Sequence, residues 1–333
     1  MILNRLNIEK NFQNISLISA SLVFVLIFSI FITLFVSAAP AINEFGLDFI
    51  IDSDWNKRAI ATDNLHKEKG IFSKNHLEVQ RYSIKDINDI NADNDKDMMI
   101  DVDETNTKTI YGGLVPIVGT ILTTLIALIF SLPIAMGIAV FLAEIAPKHI
   151  SNIVGVAIEL LAAIPSIIFG MWGLYYFAPM ITKFFGGYQV SLLTAGLVLG
   201  VMILPFIASL TRDSMKTTPN VLKESAYALG ATKFEVIKDI IFPYSRVGII
   251  GSIILALGRA LGETMAVAFL IGSVFVLPSA LTKPTISIPV AMANNFGGAS
   301  GLGESSLFYL TLILFAISFS IISFAKFFFL KRA

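Results

Sequence analysis

The 333-residue chain contains no cysteine, which excludes disulfides, thiol catalysis and cysteine-based zinc sites. Charge is scarce: only 14% of residues are Asp, Glu, Lys or Arg, and acids and bases balance at 24 each. A neutral chain carries no electrostatic footprint for nucleic acid. Its three histidines, His66, His76 and His149, share no ligand spacing, so they are expected at the surface and no metal site is expected. A G-x-x-x-x-G-K-[ST] run for ATP phosphates is also missing. The nearest imitation, Gly298 to Ser305, has Glu304 where the lysine is required, and Gly297 to Gly301 reads as a flexible loop. No cofactor is expected, and any ATP must be hydrolysed by a partner.

What the chain has in abundance is apolar sequence. Hydrophobic residues make up 55% and mean hydropathy is +0.78, values of a polytopic membrane protein. Six apolar blocks are long enough to span: about Ile15–Val36, Gly113–Ala143, Ile153–Ile181, Ser191–Leu210, Val247–Leu277 and Leu307–Leu330. Ser37-Ala38-Ala39 has the small-residue pattern of a signal-peptidase site. The preceding run of about 22 residues exceeds the 7–15 of a signal peptide's apolar region, so an uncleaved first helix is expected. Six spans put both termini on one side. With the N-terminus inside, the short inner segments collect Arg5, Lys10, Lys148, six basic residues between Arg212 and Arg246, Lys326, Lys331 and Arg332. The short outer loops hold only Lys183 and Lys283, and a loop longer than about 60 residues is exempt from the positive-inside rule.

The expected organisation is an N-terminal membrane helix over 1–39, a polar extracytoplasmic insertion over 40–110, and a five-span core over 111–333. The insertion is acidic and rich in Asn and Asp. Within it Asp93, Asp95, Asp97, Ile100, Asp101 and Glu104 occupy positions 1, 3, 5, 8, 9 and 12 of a calcium-loop spacing. Met98 stands where that loop needs glycine, so an acidic, partly disordered loop is the expectation, with calcium binding as the alternative.

The stretch from Thr218 to Val267 organises the core. Pro219 at a first helical position opens one short helix, and Gly230 closes it as a C-cap. Thr232 and Glu235 form a capping box for a second helix, which Pro243 is expected to stop. Phe234, Ile237 and Ile241 recur at i, i+3, i+7 and predict an apolar ridge suited to a groove on another protein. A DNA-reading helix-turn-helix shares the glycine turn. Six basic against four acidic residues between Arg212 and Arg246, flanked by membrane spans, argue against it.

Glu224-Ser225-Ala226, three residues, Gly230, nine residues, then Ile240-Ile241-Phe242-Pro243 resembles the EAA loop of ABC-importer permeases. Ser225 and Phe242 depart mildly from that pattern. The resemblance implies that the 212–246 segment is the cytoplasmic coupling loop that docks on the ATPase, through Glu224, Ala226, Gly230, Phe234, Ile240 and Pro243.

Beyond it, Arg259 and Glu263 lie four apart, which places both on one face of the expected fifth span. Charges at that depth cost about 2.5–3.5 kcal/mol each on insertion scales, so they need partners or water. One reading is a structural ion pair. The other makes Arg259 a transient site for an anion, with Glu263 balancing it in the anion's absence; a guanidinium suits tetrahedral oxyanions. Gly258 and Gly262 are spaced for close approach of a neighbouring helix. In the third span Glu159 precedes Pro165, where a plain kink is expected; the alternative is a broken span with a fresh half-helix from Ser166. Glu159 then either lines the path or pairs with a basic side chain.

Gly258-Arg259-Ala260-Leu261-Gly262-Glu263-Thr264-Met265-Ala266-Val267 is similar to the signature of the PstC family, one of the two permease subunits of bacterial phosphate importers. Tyr111-Gly112-Gly113-Leu114-Val115-Pro116 and the run from Glu159 through Leu174 resemble that family too, and the likeness covers about Tyr111 to Lys331. Sulfate and molybdate permeases share R-A-L-G-E. The resemblance implies an all-α membrane protein with six transmembrane helices, of the type I (MetI-like) ABC-importer permease fold, in the bacterial inner membrane. It implies phosphate passage along Arg259 and Glu263. The implied partners are a second related permease, two ATPase subunits and an extracytoplasmic phosphate-binding protein. The alternatives are a sulfate or molybdate permease, or an ion-driven secondary carrier.

Overall fold

A computed structural model describes residues 2–60 and 107–330 of the chain. The calcium-like spacing at 93–104, together with His66 and His76, lies outside the described residues. Helix α1 covers Ile2–Phe45 and short α2 covers Asp48–Ile51. Strands β1 (Trp55–Ile60) and β2 (Thr107–Tyr111) pair antiparallel, closing the base of the polar insertion with the only sheet among the described residues. The remaining helices are α3 (Leu114–Ile145), α4 (Lys148–Ala162), α5 (Ser166–Phe185), α6 (Leu192–Lys216), α7 (Asn220–Ala228), α8 (Lys233–Leu261), α9 (Met265–Leu270), α10 (Ile288–Asn295) and α11 (Leu302–Leu330).

Helices α1, α3, α6, α8 and α11 are each long and apolar enough to cross a membrane, and the bent pair α4–α5 supplies a sixth span. The fold is therefore the expected all-α membrane bundle with a small ribbon added. Helix α6 is its axis: 67% of its most apolar window is buried, against 6% for α1. Small residues let neighbours close on α6, with Gly196 against Ile126 and Gly200 against Phe130, both of α3. Ser191 caps α6, its side chain accepting from the Thr194 amide. Helix α1 lies at the margin and packs along α11, where Phe31 meets Phe315.

Several boundaries differ from those the sequence predicts. Helix α1 continues through Pro40 to Phe45, so Ser37-Ala38-Ala39 sits inside a helix with Ala38 buried. The third span is no mild kink: α4 and α5 meet at 90° across Ala163–Pro165. Pro165 adopts extended geometry and the new helix starts at Ser166. The fifth block is not one helix to Leu277. Helix α8 ends at Leu261, a break follows at Gly262–Thr264, and beyond α9 the chain runs non-helically to Ser287. That non-helical stretch is wedged into the bundle: Gly119 of α3 has no room for a Cβ beside the Ile286 carbonyl, and Thr120 Oγ1 accepts from the Ile288 amide at 2.8 Å.

Aromatic packing fixes the ribbon on this frame. Trp55 stacks on Phe275 at 4.7 Å and meets Tyr111 edge-on at 5.2 Å. Phe49 stacks on Tyr309 at 4.6 Å, whose hydroxyl donates to the Gly46 carbonyl. Gly112 and Gly113 leave no space for a Cβ against Asp52 and Phe49, so the backbone after β2 closes directly onto α2.

Candidate coupling surface and substrate path

The projection over 218–243, the candidate for coupling, is built from local signals. Helix α7 starts at Asn220, with Pro219 in extended geometry as its N-cap instead of its first helical residue. At its end the Gly230 amide bonds the Tyr227 carbonyl and the Ala231 amide bonds the Ala226 carbonyl, a Schellman closure. Gly230 takes φ +89°, the left-handed region the closure requires. Thr232 and Glu235 then form the capping box: the Thr232 amide donates to Glu235 Oε2 at 2.7 Å, and the Glu235 amide donates to Thr232 Oγ1 at 3.4 Å.

Pro243 does not stop this helix. A π turn over Val236–Ile241 precedes it, the Phe242 amide reaching back to the Ile237 carbonyl, and α8 continues unbroken to Leu261. A proline needs relief from the carbonyl one turn earlier and has no amide to give. The wide turn supplies that relief. The projecting half and the membrane half are consequently one rod of about 43 Å, at 1.5 Å per residue.

The same turn overturns the predicted ridge. An extra residue in the turn rotates the downstream side chains, so Ile241 is buried against Ala139, Met215 and Ile249, and Ile237 is half-buried beside it. Phe234 remains outward at 71% exposure and joins Leu229 at 90%. Of the residues matched to the EAA pattern, Glu224, Gly230 and Pro243 are exposed, while Ala226 and Ile240 are half-buried. A shallow hollow lined by Leu229, Gly230, Ala231, Glu235, Asp239 and Ile240 lies on the projection's outer side.

Arg259 and Glu263 are not paired. Arg259 is exposed in the last turn of α8, with no hydrogen bond or ion pair among the described residues. Glu263 falls past the helix end, where its Oε1 accepts from the Ala266 amide at 3.2 Å and caps α9. Gly258 faces Ile322 of α11 at ordinary contact distance; Gly262 meets no neighbouring helix and serves as the C-cap of α8. The structural ion pair is thus absent, and Arg259 is a cation on the chain's flank within a membrane-spanning helix.

Glu159 joins a different group. Arg212 of α6 is 7% exposed and donates to Glu159 Oε1 from Nη2 at 2.8 Å and to Asp213 Oδ1 from Nε at 2.9 Å. Gly155 makes room for the guanidinium, since a Cβ there would strike Nη1. Among the described residues no hydrogen bond or ion pair links Glu159 to Arg259.

A family model described as the binding-protein-dependent transport system inner membrane component matches residues 135–332. The chain belongs to that family. Among similar members is the phosphate transport system permease protein PstC of Haemophilus influenzae. It is 39% identical over 335 residues, spanning 95% of this chain and 91% of that protein. The protein of the same name from Pasteurella multocida is 48% identical over 236 residues, 65% of this chain and 74% of its own. A probable phosphate transport system permease protein PstC of Methanocaldococcus jannaschii is 32% identical over 343 residues, 96% of this chain and 93% of its own.

One buried ion pair of this permease has no counterpart in the sequence reading. Lys223 of α7 donates to Glu144 Oε1 at 2.6 Å, and both side chains are largely buried, at 16% and 11% exposure. This pair ties the projection to the end of α3. Residues 79 apart give no sequence signal; only the isolation of Glu144 at the end of an apolar block hinted at a partner.

Proposed function

We propose that this permease passes inorganic phosphate across the bacterial inner membrane as one subunit of an ATP-driven importer. The subunit performs no hydrolysis itself; ATP is hydrolysed by separate subunits. Its coupling segment 212–246 faces the cytoplasm with both termini, and the insertion between α1 and α3 stands on the opposite side. A second related permease completes the pathway, two ATPase subunits grip the projection through Glu224, Leu229, Gly230 and Phe234, and an extracytoplasmic binding protein delivers the anion.

The observation that carries this reading is the single helix α8, which has the projecting surface at one end and Arg259, without a partner among the described residues, near the other. A guanidinium on a membrane-spanning flank is costly unless water or another chain covers it. A pathway between two permease subunits provides both, and paired N–H donors there match a tetrahedral oxyanion. Movement of the ATPases tilts the rod and carries Arg259 with it, which turns nucleotide-driven motion into alternating access. Relatives named as phosphate permeases, alike over nearly the whole chain, favour phosphate over sulfate or molybdate.

Uptake of labelled phosphate by the reconstituted complex tests this directly. Transport that requires ATP and resists a large excess of sulfate and molybdate is the expected result. Competition by sulfate at equal concentration reassigns the cargo, and uptake that survives removal of the ATPases supports an ion-driven carrier.

A further inference from the structure

We infer that α4 is not half of a span but a helix lying in the membrane–water interface, at the end of the bundle that carries the coupling projection. Length comes first. Helix α5 has twenty residues, about 30 Å, the length of the hydrocarbon core, and reaches the hydropathy of a span only together with α4. Helix α4 has 15, about 22 Å, too short to cross by itself.

Its attachments place it. Ser151 donates to the Leu142 carbonyl at 2.7 Å, near the end of α3, and lies 3.4 Å from Lys216 Nζ at the end of α6. Two turns later Glu159 pairs with Arg212, only one turn back along α6. Between these contacts α4 advances about 12 Å while α6 rises about 6 Å, so α4 runs obliquely across the end of the bundle. The 90° turn into α5 agrees with that path.

Side-chain chemistry says what covers it. Ser151 and Gly155 face the bundle and are buried. Lys148, Asn152 and Glu159 line the edge of that buried face, sharing its stripe with Gly155, and Glu159 turns inward to Arg212. Ile153, Val156 and Leu160 share a third face, at 58%, 56% and 66% exposure. A polar stripe beside an apolar face, on a short helix, fits the boundary between headgroups and acyl chains; a helix descending into lipid would not keep a polar edge from end to end. The occupant of the apolar face is the lipid of that leaflet, and the Arg212–Glu159 pair is the brace that holds the helix there. The inference holds whatever the cargo is.

Because the chain lacks cysteine, single cysteines at Asn152, Ile153, Val156 and Leu160 can each carry a nitroxide in the assembled complex, reconstituted in liposomes. Collision with oxygen against a water-soluble nickel chelate reports depth. The expected result is shallow depths for positions 153, 156 and 160 that differ by no more than about 5 Å, with position 152 open to the chelate. A depth that increases steadily by about 10 Å from 153 to 160 means a spanning helix and overturns the proposal. Protection of the three apolar positions from both reagents means that another subunit covers the face, and overturns it equally. Tryptophans at the same positions, quenched by lipids brominated at known carbons, give the depth independently of the label.

Discussion

Replacing Glu159 by Gln separates a brace from a substrate contact. The substitution keeps the side chain's size and removes the charge that Arg212 holds at 2.8 Å. Arg212 keeps its second partner, Asp213, also at 2.8 Å, so the guanidinium is not orphaned. A hydrogen bond to a charged group contributes about 1.5–3 kcal/mol, and an exposed ion pair about 0.2–1 kcal/mol. Glu159 is 57% exposed while Arg212 is 9% exposed at the side chain, so the lower part of the combined range applies, near 1 kcal/mol. Arg212→Gln removes the buried member and its packing against Gly155, and should cost about 2–3 kcal/mol. The double variant should lose about 1 kcal/mol less than the sum of the two, because the shared contact is counted twice. The assay is thermal unfolding of the purified complex in one detergent, alongside phosphate uptake. A brace predicts a lowered melting temperature, positive coupling between the sites and an unchanged KM for phosphate. An altered KM for Glu159→Gln with unchanged melting would refute the brace and return Glu159 to the substrate path.

Arg259→Ala should abolish uptake while the subunits still co-purify; loss of assembly would assign Arg259 to packing. Gly230→Val should weaken ATPase co-purification, since its φ of +89° disfavours a β-branched residue although no neighbour lies within 4 Å of a Cβ. Gly230→Asn, which tolerates that region, should retain most of the binding, and equal loss in both variants would implicate surface shape instead. Lys223→Met alone should lower the apparent melting temperature by stranding Glu144, at about 2–3 kcal/mol, whereas adding Glu144→Leu should recover much of that loss.

Much of the coupling projection was legible because its signals are local. The Gly230 closure and the Thr232–Glu235 box act within a few residues, and both formed as their spacing predicts. Errors arose where one element's geometry depended on a turn that spacing rules do not describe. The π turn at Val236–Ile241 carried α8 past Pro243 and rotated Ile241 into the core, so a ridge counted at 3.6 residues per turn pointed the wrong way. Likewise the Arg259–Glu263 spacing presupposed an unbroken helix, whereas the chain turns at Gly262 and spends Glu263 on capping α9. The partners of Glu159 and Glu144 lie 53 and 79 residues away, contacts that only tertiary packing creates. At Pro165 the expected plain kink proves to be a 90° break with a new helix from Ser166, a size that the proline alone does not announce.

The central claim is that α8 transmits motion as a rigid rod from the docking surface to Arg259. Spin labels at exposed Phe234 and Leu255 are 21 residues apart, about 32 Å along an unbroken helix. Double electron–electron resonance on the assembled complex, without nucleotide and with ATP trapped, measures that separation in both states. The rod predicts one distance near 30 Å in both, while the distance from Leu255 to exposed Leu125 of α3 changes. A change of more than about 5 Å between the two labels on α8 would mean that the helix bends during the cycle, and would contradict the account.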